Sequence, residues 1–99
     1  MVVGVLVADV LLGDVHSLKE KRSVVRPLVS ELARKFAVSA AETGDANLHR
    51  RAEVAVSVVA GEHRQVVDVL ASCERLIAGR PELELLSART RVLDSDDLD

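Results

Sequence analysis

Residues 17–36 read SLKEKRSVVRPLVSELARKF, and this stretch sets the architecture. Ser17-Leu18-Lys19-Glu20 matches a capping box. The Ser17 hydroxyl accepts from the Glu20 N–H, and the Glu20 carboxylate reaches back to the N–H of Ser17. A helix follows, because Leu18, Val25, Leu28, Val29, Leu32 and Phe36 recur near the 3.6-residue period and give it one apolar face. Pro27 removes a helical hydrogen bond and costs about 3 kcal/mol relative to alanine. The stripe keeps its phase on both sides of Pro27, which predicts one kinked helix and not two short ones.

Outward from this helix the chain alternates between two periods. Val2–Leu12 (VVGVLVADVLL) is rich in valine and leucine and has no helix cap, so it reads as a long central strand ended by Gly13-Asp14. Ala37–Glu42 reads as a short second strand and Thr43–Leu48 as a turn-rich loop. Across Arg51–Ala60, Val54, Val56 and Val58 alternate with Glu53, Ala55 and Ser57, the pattern of a half-buried strand. Val66, Leu70, Cys73 and Ile77 form the stripe of a second helix that opens at Gly61-Glu62 and stops at Gly79 and Pro81. Leu83–Leu93 is the last strand, and residues 94–99 (DSDDLD) read as a frayed acidic tail. Two β-α-β halves in this order predict a single α+β domain over residues 1–93. The expected form is ferredoxin-like, four antiparallel strands with both helices on one face. Leu6, Ala8 and Val10 on the first strand and Val54, Val56 and Val58 on the third should face the helices.

Composition narrows the function classes. The 99 residues are 48% hydrophobic and 29% charged, ordinary values for one soluble domain. Phe36 is the sole aromatic residue, which argues against base recognition on aromatic platforms. Thirteen basic residues against sixteen acidic ones give a net charge of −3, so any contact with nucleic acid must be local. Cys73 is the one cysteine and supports neither an internal disulfide nor a thiolate metal site. Its place in the second helix's stripe predicts an inert core thiol. The first apolar run is too short to span a membrane and has no basic leader, so the expected location is the cytoplasm, with no membrane partner. No GxxxxGK[ST] loop and no GxSxG elbow occurs, and no cofactor, catalytic residue or metal site is expected.

GVLVADVLL, SLKEKRSVVRPLVSELARKF and VSAAE…LHRRAEVAVSVVA together resemble the YlxP-like family of small bacterial proteins of undefined function. The resemblance covers nearly the whole chain, and SLKEKRSVV, Ser17–Val25, is its most specific part. It implies a ferredoxin-like fold. Members are often encoded beside translation and ribosome-maturation factors, which implies work on RNA.

In that topology the first loop, the loop between the second and third strands, and the exit of the second helix share one end. Lys19, Lys21, Arg22, Arg50, Arg51 and Arg80 gather there against Asp14, Glu20, Asp45 and Glu82, a formal +2 beside the positive end of the first helix. They are the candidate RNA- or phosphate-binding residues. His16 and His49, with Asp14, fall on the same end, but their spacing suits exposed loop histidines better than a metal site. An Arg-bearing phosphate loop of the acylphosphatase kind is missing from Gly13–Ser17, and the central strands carry no aromatics of the RNA-recognition kind. Val3, Val5 and Val7, beside Ala55 and Ser57, should point to the sheet face that the helices leave open, and Asp9 on that face supports this phase. The leading expectation is a non-enzymatic RNA- or ribosome-associated accessory protein that contacts phosphates through its basic end. The alternative is a protein-interaction module, most simply a homodimer, using the valine face.

Overall fold

The computed structural model describes residues 1–98. It has the expected ferredoxin-like order: β1 (Val2–Leu12), α1 (Leu18–Phe36), β2 (Ser39–Thr43), β3 (Arg51–Ala60), α2 (His63–Ala78) and β4 (Leu83–Asp94). The strands form one antiparallel sheet in the order β2-β3-β1-β4. β1 is central, with Val2 paired to Ala60 on one side and to Asp94 on the other. A register shift between Asp9 and Val10 interrupts its ladder with β4.

The period-2 reading of the strands holds. Leu6, Ala8 and Val10 and Val54, Val56 and Val58 are buried beneath the helices. The α2 stripe Val66, Leu70, Cys73 and Ile77 is buried against them, as are Val25, Leu28 and Leu32 of α1. Val29 and Phe36 lie at the margin of this core. Its side chains are almost entirely aliphatic, so its stability rests on non-directional burial and close packing.

Local chemistry sets the ends of α1. The Ser17 hydroxyl accepts from the Glu20 N–H at 3.1 Å, as the capping box requires. The return bond differs from expectation: Glu20 Oε2 accepts from the N–H of His16, at 3.2 Å. The helix is one element through Pro27. It ends without a glycine, at Ala37, whose φ of 53° is left-handed. That cap explains why β2 starts at Ser39 and not at Ala37: the chain needs Ala37 to leave the helix, and Val38 turns into the core. Gly44, with φ 73°, then takes the chain out of β2.

The acidic C-terminal stretch has local structure over its described residues. Asp94 ends β4 and caps a 3₁₀ turn at Ser95–Asp97, accepting from the Asp96 N–H at 2.9 Å. Asp99 lies outside the described residues. No helix among the described residues is long and apolar enough to cross a membrane.

Sheet and helix approach closely at Gly4. A Cβ there would meet Val66 Cγ1 and would lie 2.8 Å from Leu70 Cδ1. The absence of a side chain is what lets α2 sit down on β1. Gly4→Ala should therefore force α2 outward and cost about 1–3 kcal/mol by overpacking, read as a lower midpoint in chemical unfolding. A midpoint equal to that of the parent chain would show that α2 moves freely.

Candidate functional site

One lysine in the expected basic cluster has a different task. Lys21 is 1% exposed, the sole buried charged side chain among the described residues. Its Nζ donates to the carbonyl of Leu48 at 2.7 Å and to that of Ala46 at 3.2 Å. It also lies 2.9 Å from Glu42 Oε2. That carboxylate oxygen is buried and has no hydrogen bond of good geometry, so the lysine's charge is what compensates it. Lys21 thus ties α1 to the end of β2 and to the β2–β3 loop. It cannot touch a ligand, and this corrects its place among the phosphate-binding candidates.

Three arginines of the expected cluster are also engaged. Arg50 Nε donates to the carbonyls of Leu12 and Gly13, both at 3.2 Å, and so fixes the exit of β1. Arg51 pairs with Asp9 across the β1–β3 ladder, with Nη2 on Oδ2 and Nε on Oδ1. Its register partner is Leu11, which puts it on the open face of the sheet. Arg80 pairs with Glu31 of α1 and lies 3.9 Å from Glu82. The end of the fold therefore does gather these residues, but their charge is largely answered from within. Asp14 and His16 form a local exposed pair at 2.7 Å. Burial pushes the Cys73 thiol up, which keeps it protonated and unreactive.

Lys19 and Arg22 remain from the predicted set, and α1 adds two residues that sequence reading passed over. Arg26 and Arg34 are exposed like Arg22, and Lys19, Arg22, Arg26 and Arg34 make no ion pair among the described residues. Lys19, Arg22 and Arg26 line one shallow groove with Ser23 and Pro27. The helix holds six basic residues against two acidic ones, +4 in a chain of net −3. Both of its acids are engaged elsewhere, Glu20 with His16 and Glu31 with Arg80. The outer side of α1 is thus a ridge of free cations. A helical count outward from the buried positions 21, 25, 28 and 32 is the signal that would have found Arg26 and Arg34.

The second candidate surface is where the strand phase put it. Val5 pairs with Ser57 and Val7 with Ala55 on the uncovered face, with Val3 next to them on β1. Val5 is 37% exposed, and Val5, Val7, Ser39, Ala41, Ala55 and Ser57 line an apolar depression.

Comparison with known proteins gives a family match over residues 3–90, to the family described as protein of unknown function (DUF503). A relative from Bacillus subtilis (strain 168), an uncharacterized protein YlxP, is 28% identical over 88 residues, 89% of this chain and 96% of its own length.

Replacing Lys21 tests the role of the lock. Lys21→Met keeps the stem but leaves Glu42 and two carbonyls uncompensated, so it should cost about 3–5 kcal/mol. Amide exchange should accelerate first in residues 44–50. Unchanged protection of that loop would show that the ammonium does not hold it.

Proposed function

The chain belongs to the DUF503 family of proteins of unknown function, and on that premise we propose that it is a non-enzymatic RNA- or ribosome-associated accessory protein of the cytoplasm, which binds phosphates along the outer side of α1. One observation carries this reading. Four exposed cations on a single helix face, Lys19, Arg22, Arg26 and Arg34, have no ion-pair partner among the described residues, in a chain whose net charge is negative. A free cation patch on an acidic body attracts polyanions locally and repels them elsewhere, so it fixes orientation as well as affinity. Phosphate contacts of this kind position a partner without reading its bases. The resemblance to proteins whose genes neighbour translation factors supports RNA as the polyanion.

The open sheet face supports a second reading, a homodimer that packs sheet on sheet. The apolar depression around Val5, Val7 and Ala55 favours it. The outer edge of the sheet is less suited to pairing between copies. Arg89 and Arg91 are exposed on edge strand β4 and would bring like charges together in an antiparallel edge contact. Val5→Asp should convert a dimer at micromolar concentration into a monomer, read by sedimentation. A parent chain that is monomeric at every concentration would remove this reading.

The ridge is tested by salt. Four phosphate contacts give a slope of log affinity against log salt of roughly −3 to −4. Replacing Arg22, Arg26 and Arg34 together by alanine should bring that slope to about −1 and leave unfolding within about 0.5 kcal/mol of the parent. Replacing Arg64, Arg89 and Arg91 together should change binding little. Equal losses from the two triple variants would show a diffuse attraction with no site, and no binding to RNA at low salt would end the reading.

A further inference from the structure

Resting on the reading of α1 as a phosphate-binding ridge, we infer that its partner is double-helical RNA, recognised by the spacing of its phosphates. Three features of the helix lead there. Arg22, Arg26, Ser30 and Arg34 are all exposed and fall four residues apart on one continuous helix. Successive members are about 6 Å apart along the axis, similar to the separation of successive phosphates on one strand of a duplex. The row also runs obliquely, inclined by about 26° to the helix axis, so it can follow a backbone that winds past the helix. Ser30 is the one rung without a charge, and its hydroxyl is a neutral donor for a phosphate oxygen.

The second feature is what the chain lacks for holding single strands. Single-stranded nucleic acid is held by stacking its bases on aromatic rings. Phe36 is the sole aromatic residue; it is half-buried at the core margin, with Lys35 Nζ 5.7 Å from its ring centre. A flexible strand would have to be ordered along the ridge with charge contacts alone to offset its entropy. A duplex arrives already ordered, and recognition of A-form RNA by shape and backbone needs no aromatic ring.

The third feature is rigidity. α1 is capped at Ser17 and anchored near its start by the buried Lys21, and the face opposite the ridge is set into the core through Val25, Leu28 and Leu32. The backbone carrying the cations is therefore fixed before binding, which favours a partner with fixed charges. The same geometry disfavours an anionic membrane. Lys19, Arg22, Arg26 and Arg34 share their face with Ser23, Pro27 and Ser30, none of which is a large apolar side chain that could enter a lipid surface.

Two substitutions of equal charge separate a ladder from a patch. Ser30→Arg fills the missing rung, whereas Gln65→Arg adds the same charge on the exposed start of α2, off the ladder. Binding of the full chain to a 20-base-pair RNA duplex, and to one of its strands alone, is read by fluorescence anisotropy across a salt series. The parent should bind the duplex at least tenfold more tightly than the strand. Ser30→Arg should tighten duplex binding several-fold and steepen its salt slope by about 0.9, while Gln65→Arg leaves both unchanged. Equal gains from the two variants, or a strand bound as tightly as the duplex, would overturn the inference and leave the phosphate-ridge reading standing. Binding to neither RNA would overturn that reading itself. Vesicles of anionic phospholipid bound as tightly as the duplex would overturn the choice of RNA.

Discussion

A single buried ammonium orients the molecule. Lys21 is charged and out of water, and what keeps it there is two backbone carbonyls and the Glu42 carboxylate. Removing one partner from such a set is far more costly than the set is stabilising, because the remaining charge is left uncompensated. The rotation of α1 about its own axis is therefore constrained. With positions 21, 25, 28 and 32 turned inward, Arg22, Arg26, Ser30 and Arg34 are turned outward. The charged outer ridge and the buried lysine are two sides of one constraint. The same contact holds the loop between β2 and β3, where Thr43 and Gly44 lead the chain away from the sheet.

Most of the fold is legible in the sequence because it rests on local patterns. The alternation in Arg51–Ala60 and the stripes of both helices report burial directly, and the structure buries those sets. Ser17 and Glu20 mark the helix start by chemistry that acts over three residues. The end of α1 is harder to read, since Ala37 adopts a conformation that glycine usually supplies. Lys21 was legible in principle. It falls in phase with the apolar stripe, between Leu18 and Val25, where a cation is out of place unless something inside receives it. The partners that receive it are at least twenty-one positions away, and no short-range pattern names them.

The expected basic end fails to stay free for the same reason. Formal counting gave that end a surplus of charge, but pairing depends on reach and direction. Arg51 meets Asp9, 42 residues away, and Arg80 meets Glu31. Counting charges by end of the fold treats them as interchangeable, whereas α1 separates its own. Its two acids are drawn aside by His16 and Arg80, and Lys19, Arg22, Arg26 and Arg34 are left on its outer side with no ion pair among the described residues. A protein with more acids than bases can still present a strongly positive surface if its helices sort charge by face.

The position of β1 shapes how this chain is made. It is the first element in chain order and the central strand of the sheet, and both of its neighbours, β3 and β4, come later. Leu6, Ala8 and Val10 find their flanking strands and the helix α2 that covers them only when residues from Arg51 to Asp94 have been synthesised. Pairings this distant in sequence make folding slow compared with helix formation. During elongation the most apolar segment of the molecule waits unpaired, while the capped first helix can already form in transit. A nascent chain of this protein therefore carries β1 with one edge unpaired until β4 arrives. Until then that edge offers unpaired backbone groups on which a strand of another chain can pair.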